Sequence, residues 1–488
     1  MISNSPVYST LSDLVITDQV YKDKAEKIFR FISIMEEHDG LGTPGIFMMI
    51  RPRGFGLSLI TQAISNIIKK ESENAERTLE QTDLFMMHQH SSYNTKGAVK
   101  ISDRFKYELN NLTLSNSVRD EPKYEKDPLK ANLSVQDEIE AIKSIYNIPQ
   151  RPVIFIDFKY LKARNHKEFA EELLSVIQNQ FWINHIESHI TPYMTPKAYF
   201  SKLLEALYVK YPDDKMVLII DNYDVPFIIA STFEEEEKTE ACSEYLDVLN
   251  VIKYSESCVK WCLLSGHINF ALASEMSEGL PLVYDLSNEP MLSGLFGFSR
   301  NDIAQVYSNE IKKFSAYLNI TETEYLDCLE KCYGGYMFTD NDELYNPDCP
   351  SMINPACVVN CMMNSGRLLP YSSSGNYRFL KQAIEHQSPD LRWLFDKDGQ
   401  DPLFSDSVNV NVTGKQIGTL LIQLGFATRK KIFINKTDSY VTWRYRFEFP
   451  NLDMKKTFET ILEGTSTEIS ETPLDLNSSL EYEFKDLL

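Results

Sequence analysis

Arg51-Pro52-Arg53-Gly54-Phe55-Gly56-Leu57-Ser58 stands between an apolar run, Gly45–Ile50, and an amphipathic stretch over Leu57–Lys70 with apolar positions at Leu59, Ile60, Ala63, Ile64, Ile67 and Ile68. Strand, tight loop and helix in that order can hold phosphate, because backbone N–H groups and the helix N-terminus converge on the loop. The pattern for such a loop is a glycine, four residues, then Gly-Lys-Ser/Thr, the lysine supplying charge. Gly56 and Ser58 fit it, while Arg51 stands at the first glycine and Leu57 at the lysine. Arg51 and Arg53 carry guanidinium forks that match phosphate geometry.

A second run, Met216–Asp221, is an apolar strand ending in a carboxylate, which a nucleotide site needs to hold Mg²⁺ directly or through water. Hydrolytic sites follow that acid with a glutamate that orients or deprotonates water. Here the next residue is Asn222, whose amide hydrogen-bonds water but cannot take its proton at neutral pH. The candidate cofactor-binding residues are therefore Arg51, Arg53, Gly54, Gly56, Leu57, Ser58, Asp221 and Asn222, with Ser58 and Asp221 as ligands of Mg²⁺ and ATP or ADP as the nucleotide.

These residues need a scaffold of parallel strands. Gly45–Ile50, Val153–Asp157, Met216–Asp221, Lys260–Ser265 and Leu282–Leu286 are short apolar runs alternating with helical patterns, the signature of a layered α/β domain. Residues 1–295 are assigned to it, with a polar insertion at 86–150 that ends in a helical segment, Val135–Tyr146. Glu234–Glu240 reads as a solvated loop or helix end. A helical region follows at 296–370, with helices expected over Arg300–Leu318 and Glu322–Cys332. Within 371–464, Thr413–Leu424 reads as a helix ended by Gly425, Phe426–Ile434 and Tyr440–Phe449 as strands, and Met454–Leu462 as a helix. Val441, Trp443, Tyr445, Phe447 and Phe449 alternate with polar residues in the second strand. The order suggests a winged-helix-like unit. Residues 465–488 form an acidic tail.

The full chain of 488 residues carries 70 acidic and 49 basic side chains, a formal charge of −21. That sign disfavours general nucleic-acid binding, although Arg429, Lys430, Lys431, Arg444 and Arg446 form a local basic group on the expected ribbon. No run is long and apolar enough to span a membrane, and residues 1–19 lack a signal-peptide pattern, so an intracellular protein, cytoplasmic or nuclear, is expected. Cys258/Cys262, Cys328/Cys332 and Cys357/Cys361 are spaced as helical metal ligands could be, but core thiols are the better reading. His185 and His189, like His88 and His90, show no third ligand nearby and read as surface histidines. No Gly-x-Ser-x-Gly elbow is present.

Along nearly its whole length the sequence resembles the AAA-ATPase-like proteins that commonly carry a C-terminal PD-(D/E)XK nuclease-like domain. The matching landmarks are Tyr21–Ala25, Arg51–Ser58, Ile220-Asp221-Asn222-Tyr223-Asp224-Val225-Pro226, Leu264-Ser265-Gly266, Gly297-Phe298-Ser299, Tyr333–Phe338, Tyr345-Asn346-Pro347 and Pro450-Asn451. The resemblance implies a P-loop NTPase-like parallel sheet core with helical and winged-helix-like C-terminal regions. It also marks three departures: Gly54 for the pattern's third arginine, Leu57 for its phosphate-binding lysine, and Asn222 for its catalytic glutamate. The chain ends soon after Pro450-Asn451, so no nuclease domain is expected. A degenerate ATPase-like protein follows, acting through protein contacts with an unknown partner and binding nucleotide without efficient turnover. An active ATPase of atypical chemistry and an interaction protein independent of nucleotide are the alternatives.

Overall fold

The computed structural model describes residues 24–38, 44–69, 148–187, 194–272, 280, 282–339, 351–375, 377–391, 394, 407–436 and 441–463. The expected insertion at 86–150, up to residue 147 and with its Val135–Tyr146 helix, lies outside the described residues, as do His88, His90, His189, Tyr345-Asn346-Pro347 and the acidic tail.

Five strands, β1 (Gly45–Ile50), β2 (Val153–Asp157), β3 (Met216–Asp221), β4 (Val259–Gly266) and β5 (Tyr284–Asp285), form one sheet in the order β2-β3-β4-β1-β5. Every pairing in it is parallel. β1 and β3 are buried at every position, which is why they read as continuous apolar runs: a parallel sheet has both faces covered. The covering helices are α1 (Ala25–Glu37), α2 (Leu57–Ile68), α3 (His166–Ile183), α4 (Pro196–Lys210), α5 (Val225–Ala230) and α6 (Glu235–Lys253). The glutamate run begins α6, where acidic side chains favour the helix N-terminus. Glu36 ties α1 to the sheet by accepting from Trp261 Nε1 at 2.8 Å and pairing with Arg151 at 2.8 Å.

Register does the positioning. Asp157 lies beside Asp221, Asp221 beside Ser265, and Ile50 beside Gly266. Two carboxylates and a hydroxyl are thus aligned across the carboxyl ends of three adjacent strands, next to the loop that leaves β1. That edge is where open α/β sheets bind ligands.

Beyond the sheet lie α7 (Arg300–Val306), α8 (Ser308–Leu318), α9 (Glu322–Tyr333), α10 (Pro355–Met363), α11 (Arg378–Gln387), α12 (Ile417–Gln423) and α13 (Leu452–Glu463). The expected Arg300–Leu318 helix is two, because buried Tyr307 at φ −111° and ψ 29° leaves the helical conformation between them. Side chains from Phe298 to Leu368 form a core of their own. Phe379, Leu420, Phe426 and Phe458, by contrast, join the large core of the sheet. Gly425, at φ +84°, ends α12, with Phe426 N donating to Leu421 O at 2.8 Å. Strands β6 (Thr428–Lys436) and β7 (Val441–Glu448) then pair antiparallel before α13. Helix, ribbon and helix follow in the expected order; the alternation over 441–446 and the basic group at 430, 431, 444 and 446 fall outside the described side chains.

Candidate functional site

The loop from β1 to α2 turns on two left-handed glycines, Gly54 at φ +85° and Gly56 at φ +79°. Several helices here start on a side-chain cap: Asn165 accepts from Glu168 N, and Thr321 and Ser299 form capping boxes. α2 starts instead on Gly56, which has no side chain to offer. The space where a Cβ of Gly56 would stand is open to 4 Å. The first N–H groups of α2 therefore keep the orphan donors that suit an anion.

Ser58 follows on the first turn of α2, where its hydroxyl favours the ionised Asp221 carboxyl. Asp221 is 1% exposed. Ser265 Oγ donates to its Oδ1 at 2.6 Å, and Asn222 Nδ2 to its Oδ2 at 3.2 Å. Burial pushes the Asp221 carboxyl up to about 6; the Ser265 and Ser58 hydrogen bonds oppose that, and the negative charge of Asp157 adds to it. Asn222, held at φ +54°, also donates Nδ2 to Asp157 Oδ1 at 2.8 Å. One amide thus ties two carboxylates together.

The rest of that motif is architectural. Tyr223 is fully buried, donating its hydroxyl to Ile268 O at 2.7 Å and accepting from Phe270 N at 3.0 Å. Asp224 Oδ2 accepts from His267 N at 2.9 Å and Ile268 N at 3.1 Å, fixing the turn after β4. There the His267 ring meets Arg51 O at 2.8 Å. Burial first, and then the positive charge of Arg53, hold the imidazole below its usual range, so it is neutral at pH 7 and Nδ1 donates.

Residues 133–275 match the family model of the AAA-ATPase-like proteins, described as a predicted AAA-ATPase. This part of the chain is similar to that family. The matched segment carries Asp157, Asp221, Asn222 and Ser265 but not the loop from Arg51 to Ser58. No curated protein matches the chain.

Placed on this parallel-sheet core, the expected site residues separate into two groups. Gly56, Ser58, Asp221 and Asn222 meet around the start of α2. Arg51 does not join them: it is 1% exposed, with Nη1 donating to Ile50 O at 2.7 Å and Ser287 O at 2.8 Å. Its guanidinium lies 4.4 Å from the Phe338 ring centroid and 4.9 Å from that of Phe296. Burial pulls it down to about 9, against the field of Asp285. Leu57 is 5% exposed and part of the large core, so no cation occupies the lysine position. Gly54 is pressed against the start of α10: a Cβ there would meet Asn354 Oδ1 at 2.6 Å. Ala356 N donates to Gly54 O at 3.2 Å, and Asn354 Nδ2 to Arg53 O at 3.0 Å. The Arg53 side chain is exposed.

Residues outside the site brace the same loop. Phe55 packs edge-on against Tyr336 at 4.8 Å and Phe338 at 5.0 Å, and a Cβ on Gly297 would lie 3.0 Å from its ring. Asn451 donates to Gly334 O at 2.7 Å and caps α13. Sequence reasoning passed over Asp157, although its run ends in aspartate just as Met216–Asp221 does. Ser265 stands in the sequence only as the middle of the Leu264-Ser265-Gly266 run.

The surviving donors fit a magnesium nucleotide in part. Ser58 and Asp221 supply the hard oxygens that Mg²⁺ takes, few in number as is usual for that ion, and Asp221 has only neutral hydrogen-bond partners. Among the described residues no three His, Cys, Asp or Glu side chains form a dedicated metal cage. The four cysteines of α9 and α10 are buried in the second core, their thiols raised by burial. His185 ends α3.

Proposed function

We propose that the protein binds magnesium nucleotide at the Gly56–Ser58–Asp221 cluster without efficient hydrolysis, and acts through contacts with a protein partner. The observation that carries this reading is the pairing of an uncapped α2 N-terminus and a buried Asp221 carboxyl beside Ser58 with an apolar Leu57. Bound there, Mg²⁺ would offset phosphate charge. The amides of α2 would orient phosphate oxygens, Ser58 and Asp221 would hold the ion, and Asn222 would place a water without accepting its proton. Leu57 leaves the phosphates without the charge-assisted contact that speeds transfer.

A second reading has one specific support, the 2.8 Å contact of Asn222 with Asp157: a carboxylate from the adjacent strand could take the role that Asn222 cannot. Thermal denaturation with and without Mg-ATP, beside an ATPase assay, separates these readings. We expect a rise in melting temperature that Ser58→Ala loses, and no turnover above background. Turnover abolished by both Asp221→Ala and Asp157→Asn would establish the second reading. An unchanged melting temperature at millimolar Mg-ATP would leave an interaction protein independent of nucleotide.

A further inference from the structure

A cavity of about 270 Å³ lies beside this cluster, between the carboxyl edge of the sheet and α11. Arg53 reaches it from the β1–α2 loop, Lys162 from the segment after β2, His267 from the end of β4, and Arg378 from α11. The chain carries 70 acidic and 49 basic side chains, yet no aspartate or glutamate lines this wall. The larger cavity between α4 and α6 is different, with Lys197 already paired to Asp247 at 3.4 Å. Among the described residues, neither Arg53 nor Lys162 has an ion-pair partner.

The positive charge is felt on both sides of the cavity. Arg53 helps to hold His267 below its usual range, and on the α11 side it opposes the burial that raises the Tyr377 phenol. Ile228, Phe379 and Leu424 give the lining its apolar part, and Ser231, Thr232 and Gln382 add uncharged polar groups. Its volume is near the lower end of ligand clefts, which run from about 300 Å³. Apolar walls with a few convergent polar groups are how such clefts orient a small ligand.

We propose that this cavity binds a small molecule with an oxyanion head, a phosphate ester or a carboxylate, on a flat apolar body. Arg53 and Lys162 take the head, and Ile228, Phe379 and Leu424 cover the body. The site is separate from the one proposed for nucleotide, sharing only the loop on which Arg53 stands.

Calorimetric titration of the full chain with phenyl phosphate, benzoate, inorganic phosphate and Mg-ATP tests it. Phenyl phosphate or benzoate should saturate one site, whichever binds tighter identifying the head, and inorganic phosphate should bind more weakly than phenyl phosphate. Lys162→Glu and Arg378→Glu, both at exposed positions, should each weaken the better probe by about tenfold or more. Asp221→Asn should leave it unchanged while removing any Mg-ATP binding. The proposal is overturned if neither aromatic probe binds at millimolar concentration, or if both charge reversals bind as the wild type does. It also falls if Asp221→Asn removes probe and nucleotide together, since the cavity would then be an extension of the nucleotide site.

Discussion

The loop after β1 and the ends of β2, β3 and β4 face one another across the proposed site, and they depart from the phosphate-site pattern in different ways. On the loop, each departure is filled by packing. Leu57 enters the core, and Gly54 makes room for Asn354 at the start of α10. Arg51, which keeps the pattern's residue type, is inserted between two phenylalanine rings. At the strand ends the departure is filled by hydrogen bonds: Asn222 joins Asp157 to Asp221, which keeps Ser265 and Ser58 as partners. A side chain that packs can be exchanged only at the cost of fold stability, whereas one that hydrogen-bonds within a polar network can be exchanged with a change of charge. The loop thus serves as an anchor for the C-terminal region, and the strand ends keep the capacity for chemistry.

The largest effect should come from breaking the anchor. Arg51→Ala removes two hydrogen bonds and two ring contacts from a fully buried side chain, and should lower the unfolding free energy by about 3–5 kcal/mol in urea denaturation. Arg51→Met keeps the bulk and removes a charge whose Nε and Nη2 have no hydrogen-bond partner; it should cost clearly less than alanine, because a buried charge exchanged for an apolar side chain of similar volume is often tolerated. Equal losses would mean that the cation, not the packing, holds the loop.

Gly54→Arg, which restores the pattern's residue, comes next. Its backbone sits at φ +85° and a Cβ would lie 2.6 Å from Asn354 Oδ1, so strain and overpacking together should cost about 2–4 kcal/mol. The measurement is again urea denaturation, and Asn354→Gly in the same chain should recover part of the loss by opening that space.

Much of this scaffold was legible in the sequence. β1, β2 and β3 fall on the apolar runs Gly45–Ile50, Val153–Asp157 and Met216–Asp221, because strands buried on both faces must be apolar throughout. What could not be read was the partner of each loop residue. Arg51 and Arg53 are both arginines in a phosphate-loop pattern, and only the long-range contacts with Phe296, Phe338 and Asn354 show one to be buried and the other exposed. The strand-end network was hidden for a similar reason. Asp157, Asp221 and Ser265 belong to runs far apart in sequence, and their alignment is a property of sheet register, which local pattern does not determine in a parallel sheet.

Asp221→Asn sharpens the other half of the comparison. The folded carboxyl stands at about 6 against an ordinary 3.8, so between those values the unfolded chain has released its proton and the folded chain has kept it. Stability therefore falls as pH rises through that window, and above it the whole cost is carried. The asparagine variant lacks this cost and should be more stable than the wild type at pH 7 by about 1–3 kcal/mol, while the two should converge below pH 4. Mg-ATP should stabilise the wild type and not the variant. A variant less stable than the wild type at neutral pH would show that the Ser58 and Ser265 hydrogen bonds outweigh burial.

The smallest expected effect is the most specific to the strand ends. Asp157 raises the Asp221 carboxyl through its negative charge, a weaker influence than burial, and it accepts the same Asn222 amide at 2.8 Å. Asp157→Asn removes the charge and leaves a side-chain oxygen of the same geometry for that amide. The Asp221 midpoint, followed by the carboxyl carbon resonance in an NMR titration, should fall by a fraction of a pH unit, with stability at pH 7 changing by about 0.5 kcal/mol or less. An unmoved midpoint would mean that solvent screens the two carboxylates from each other. Asp157 would then be a neighbour of the amide without being coupled to the buried acid, and the case for it as a substitute base would rest on proximity alone.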